Sequence, residues 1–115
     1  MDTAAARTRL EDMLTGLDRS IAILKGEHPD PAASGYDRHP ADAGTNLSDA
    51  DRAEATLDAM QRQRSTVVAA LTRLTTGTYG QCVECGRPVA EGRLEARPEA
   101  ARCVACQGRY DKARR

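Results

Sequence analysis

Two short cysteine pairs are the residues of this chain best equipped for chemistry. Cys82-Val83-Glu84-Cys85 is followed, after 17 intervening residues, by Cys103-Val104-Ala105-Cys106, and these are all four cysteines of the protein. Thiolates are soft, strongly donating ligands, and two CxxC pairs at this separation have the spacing of a tetrahedral zinc site. Four sulfur donors with no histidine or carboxylate partner close the coordination sphere and leave no position where water could be activated. The expectation is one structural Zn2+ held by Cys82, Cys85, Cys103 and Cys106. Redox switching of the thiolates and iron–sulfur ligation are the lesser alternatives. His28 and His39 are far upstream of the cysteines in sequence and read as solvated loop residues.

Nothing else in the chain is arranged like an enzyme. There is no nucleophile–base pair, no phosphate-binding glycine loop and no HExxH pattern, and the carboxylates are spread without a catalytic spacing. The sequence therefore predicts a binding protein and no catalytic residues.

The elements that must position the cysteines are helical. The chain has 115 residues, no Phe or Trp and three tyrosines, and much of its 40% apolar content is alanine. Alanine favours helix but buries little area, so a coiled-coil seam and a structural metal are the stabilisers on offer. Leu10, Leu14, Leu17, Ile21 and Leu24 step by four and three, which predicts a heptad helix over about 3–25. Gly26, Pro29 and Pro31 end it, and residues 26–47 have turn and loop composition. Pro40 to Thr45 within that loop could hold a short helical turn. A second heptad helix, with Ser48 as N-cap, is predicted over about 48–76. Its seam is Ala50, Ala53, Leu57, Met60, Arg64, Val67, Leu71 and Leu74, about 40 Å long at 1.5 Å per residue. Arg64, the one polar seam residue, could snorkel, pair with a carboxylate of the first helix, or fix register.

Two heptad helices joined by a loop favour an antiparallel hairpin in a monomer, with a self-associating dimer as the alternative. Residues 1–76 then form the hairpin, and residues 77–115 a four-cysteine module with a short C-terminal helix. Within the module Gly86 suits the turn after the first pair, Val89 and Leu94 supply a small core, and Arg93–Pro98 reads as a short strand or turn. The fold class is mainly α.

Charge is neutral overall but polarised. Residues 27–58 carry eight acids against two basic residues, whereas residues 60–115 carry eleven basic residues against five acids. The acidic middle argues against that segment gripping phosphates. No signal peptide opens the chain and no run approaches a membrane span, so reduced cysteines in a cytoplasmic protein are expected.

The run Gly77-Thr78-Tyr79-Gly80-Gln81-Cys82-Val83-Glu84-Cys85-Gly86, with Arg93-Leu94-Glu95-Ala96-Arg97-Pro98 and Cys103-Val104-Ala105-Cys106-Gln107, resembles the signature of the DksA/TraR family. These are C4-type zinc-finger transcription regulators, and the preceding hairpin is similar in organisation. The resemblance implies a partner instead of a reaction: family members bind RNA polymerase directly and not DNA. Their coiled-coil hairpin enters the secondary channel and places an acidic tip near the catalytic magnesium. The family's tip has two aspartates three apart and then an alanine, and the matching positions here are His39, Asp42 and Gly44. Only the second acid is kept, which implies that polymerase binding survives with a weaker or different regulatory effect. The family's response to guanosine tetraphosphate uses basic residues on the second helix and just past the last cysteine. Gln107 at that position argues against alarmone synergy. A nucleic-acid-binding finger using the basic end, or a redox-sensing thiolate switch, are the rival functions.

Overall fold

A computed structural model of the chain describes residues 2–26 and 46–114. Four helices account for most of them: α1 (Thr3–Leu24), α2 (Asn46–Thr76), α3 (Glu91–Ala96) and α4 (Val104–Ala113). Among the described residues there is no strand, only an isolated antiparallel bridge between Gln81 and Pro88. The mainly α class is as expected.

Local chemistry sets the helix ends. Asp2 caps α1, its Oδ1 accepting from the backbone N–H of Ala4 at 3.3 Å, and its carbonyl accepting from Ala6 at 2.9 Å. Such a cap satisfies donors that the first turn leaves without helical partners. α2 starts at Asn46, two residues before the expected cap at Ser48. Asp49 then sits in the first turn, opposite in sign to the helix dipole there. α2 ends at Gly77, whose φ of +83° lets the N–H of Thr78 turn back to the carbonyl of Arg73 at 2.9 Å. That bond is the signature of a Schellman cap.

Two compact units emerge, Met1–Leu14 with Ser65–Arg115, and Thr15–Arg64. In the first, Thr3 and Ala4 share a cleft with Leu74, while Leu14 lies in one with Val68 and Leu71. Position rises along α1 as it falls along α2, so the helices are antiparallel. This unit fully buries Ala6, Leu10, Val67 and Ala70. Leu10 and Val67 were expected in the seam; Ala6 and Ala70 were not. The buried face here is wider than a strict heptad stripe, and alanine at its margin permits close backbone approach.

In the second unit Ile21 is buried, and Leu17, Leu57 and Met60 are half-buried. Ala50, Ala53 and Leu24, expected in the seam, are exposed. Arg64 takes one of its three expected roles: its Nε donates to Asp18 Oδ1 across the helix pair. That hydrogen bond, with the added Coulombic attraction, raises the Arg64 pKa further.

Candidate metal centre

The segment after α2 builds the first cysteine pair from a tight backbone turn. The N–H of Cys82 donates to the carbonyl of Arg87 at 2.8 Å, and the N–H of Gly86 to the carbonyl of Cys82 at 2.9 Å. Gly86 has φ +75°, a left-handed conformation that a side chain makes costly. The turn leaves backbone N–H groups aimed at sulfur. The second pair is set on a helix start: Cys103 is the N-cap of α4 and Cys106 lies in its first turn. A bond of 2.9 Å from the N–H of Val83 to the carbonyl of Ala101 fixes one pair against the approach to the other.

Between the pairs, residues expected as a strand or turn form α3 instead. Glu91, Leu94, Glu95 and Ala96 are helix-compatible, and Glu91 occupies the favourable first turn. Pro98 stops the helix and pushes Arg97 to an extended φ of −137°. Leu94 and Val89 pack with Cys82 and Cys106 in one buried cluster, as the sequence predicted, with Tyr79 and Ala100 against it. Tyr79 donates its hydroxyl hydrogen to the carbonyl of Pro98 at 2.9 Å, and burial pushes its pKa up.

The four sulfur atoms lie within 4.8 Å of one another, with Cys85 and Cys103 Sγ 4.0 Å apart. A tetrahedron of metal–sulfur bonds about 2.3 Å long spaces its sulfurs by about 3.8 Å, so a small contraction around one ion brings the set to that geometry. The electrostatics also favour a cation. Backbone N–H groups, that of Cys85 foremost, pull the Cys82 thiol down to about 6. The N–H of Cys106 does the same in direction for Cys103. Cys106 is pushed up to about 12, first by its hydrogen bond with Cys103, then by burial and the other two sulfurs. Four anions cannot share this space without a counter-charge, and a divalent ion supplies it.

Around the sulfurs is a frame whose basic character the sequence showed in Arg93, Arg102 and Arg109, but whose stacking aromatic, Tyr110, it did not. A cleft of about 380 Å³ opens beside them, lined by Glu84, Cys85, Cys106, Arg109 and Tyr110. Arg109 Nη2 donates to Cys106 Sγ at 3.0 Å. Arg102 pairs with Glu84 at 3.3 Å and stacks 3.9 Å from the centroid of the Tyr110 ring. Arg93 Nε donates to the carbonyl of Arg102 at 2.9 Å, and Arg9 of α1 reaches the carbonyl of Glu95 at the end of α3. The i, i+3 spacing of Cys106 and Arg109 on a predicted helix was the available signal for one of these contacts. His28, His39, Asp42, Gly44 and the expected turn at Pro40–Thr45 lie outside the described residues.

The prokaryotic dksA/traR C4-type zinc finger matches residues 77–112. A Caulobacter vibrioides protein named RNA polymerase-binding transcription factor DksA is 37% identical over 75 residues, 65% of this chain and 53% of its own length. A Haemophilus influenzae protein of the same name is 38% identical, covering 60% of this chain and 54% of its own. The chain thus spans about half the length of the curated relatives it matches. Among solved structures, transcription factor DksA2 from Pseudomonas aeruginosa aligns with TM-score 0.61 and 23% identity, over 97% of this chain and 79% of its own. The DnaK suppressor protein from Agrobacterium tumefaciens aligns with TM-score 0.63 and 22% identity, over 94% and 93%. These two likenesses concern the fold. With a four-thiolate cluster and that finger signature together, residues 77–112 carry a dksA/traR C4-type zinc finger, and the chain is similar to the DksA proteins over about half of their length.

Proposed function

We propose that the chain is a cytoplasmic transcription regulator that binds RNA polymerase directly and performs no catalysis. The observation that carries this reading is its likeness to the Caulobacter and Haemophilus proteins, both named for RNA polymerase binding. In this reading the helical hairpin of a monomer enters the secondary channel and presents His39, Asp42 and Gly44 at its tip. Asp42 is the acid placed to act near the catalytic magnesium, and His39 replaces a second acid by a group that is neutral or cationic near neutral pH. Zn2+ is the ion at Cys82, Cys85, Cys103 and Cys106. Once bound, it contributes folding free energy and no chemistry. Gln107, uncharged where the family has a basic residue, argues against synergy with guanosine tetraphosphate.

The test is co-purification with bacterial RNA polymerase, followed by crosslinking from a photoreactive residue at position 42. Stoichiometric capture with crosslinks to the subunits lining the secondary channel is the expected result. Failure to capture polymerase, together with tight DNA binding that falls steeply with salt, would instead establish the nucleic-acid-binding finger.

A further inference from the structure

We propose that Arg109 is a positioning residue for the metal centre, neutralising and shielding the Cys106 thiolate. The proposal rests on reading the four cysteines as a zinc site.

The geometry assigns the role. Cys106 occupies the first turn of α4 and Arg109 follows one turn later, so their side chains share a face of the helix. Arg109 Nη2 donates to Cys106 Sγ at 3.0 Å, and both residues line the cleft that opens beside the sulfurs. Cys106 is 3% exposed, so the guanidinium stands where an incoming molecule would approach this sulfur. A divalent ion with four thiolates carries two net negative charges. A guanidinium in contact with this buried sulfur offsets part of that charge from the solvent side.

The rest of the frame lies around this contact without duplicating it. Tyr110, beside Arg109 in the chain, is anchored under Arg102, which is itself paired with Glu84. Lys112 is also exposed on α4 but has no sulfur contact among the hydrogen bonds of the described residues. Lys112→Ala therefore removes one positive charge from the same helix and leaves the contact intact.

Outer groups that hydrogen-bond metal ligands typically change metal affinity about 10- to 100-fold when removed. Arg109→Ala should accordingly speed Zn2+ transfer to a colorimetric chelator by about 10-fold or more. Arg109→Lys should recover part of the loss, and Lys112→Ala should match the native rate. With Co2+ in place of Zn2+, loss of the N–H donor should move the sulfur-to-cobalt charge-transfer band to lower energy in Arg109→Ala alone. A change in folding at a distance would not move that band. Equal release rates and an unshifted band in Arg109→Ala would overturn the proposal. Failure of the native chain to bind either ion through sulfur would overturn the zinc-site reading and this proposal with it.

Discussion

At the residue scale, the centre depends on a few backbone donors held in costly conformations. Gly86 is the clearest, since its left-handed φ allows the turn that presents N–H groups to sulfur. A Cβ there meets no atom within 4 Å, so Gly86→Ala acts through backbone strain alone. We expect a cost of about 1–2 kcal/mol, read from thermal unfolding of the metal-loaded protein. An unchanged melting curve would place the strain elsewhere. The sign of the pH dependence follows from Cys82, whose pKa lies at about 6 in the fold, below the ordinary thiol range. A lowered value stabilises the fold fully above the unfolded thiol pKa, about 8.5. That contribution disappears as pH falls through about 6. Cobalt charge-transfer absorbance should therefore bleach as the pH is taken from 8 toward 5, with several protons taken up per ion released. Bleaching on raising the pH instead would contradict the assignment. Replacing Cys82 by Ser should release the ion and loosen the module, and full metal occupancy in that variant would argue against its being a ligand.

At the scale of elements, burial is uneven along the helix pair. Leu10 is fully buried whereas Leu24 is 37% exposed, although both were expected on the same seam. Leu10→Ala should cost about 2–5 kcal/mol in urea unfolding followed by circular dichroism. Leu24→Ala should cost less than about 1 kcal/mol. Comparable losses would mean that the seam is uniformly loaded.

The same contrast shows what the sequence could reveal. The steps of three and four located both helices to within two residues, because periodicity is a property of each helix by itself. They did not predict burial of Ala6 and Ala70, since close approach depends on the partner helix. The cysteine spacing disclosed the cluster for a related reason: four ligands of one type have few other uses. α3 was misread because a six-residue segment is too short for its period to show, and its flanking Arg97-Pro98 looked extended. The Arg102–Tyr110–Glu84 frame joins residues up to 26 positions apart that only the fold brings together.

At the scale of the molecule, charge separates two jobs. The excess of acid lies in residues 27–58 and the excess of base from residue 60 onward, with the cysteines inside the basic part. If Asp42 is the acting residue, its substitution should be felt in transcription and not in folding. We expect Asp42→Asn to keep the native helicity and melting temperature while reducing any effect on polymerase. Equal losses of stability and regulatory effect would remove Asp42 from the functional assignment.

The compact unit that joins Met1–Leu14 to Ser65–Arg115 has a consequence for how the protein is made. Leu10 and Ala6 are buried in a unit whose other half is separated from them by the whole of Thr15–Arg64. At ~5–20 residues per second, a ribosome needs roughly 3–10 s to add that stretch. Throughout that interval the start of α1 has neither Val67 nor the Arg9 acceptor on Glu95 to rest against. A helix of 22 residues with its apolar stripe uncovered is only marginally stable in water. The apolar stripe of α1 is therefore most exposed to proteases before Val67, Ala70 and Glu95 have left the exit tunnel.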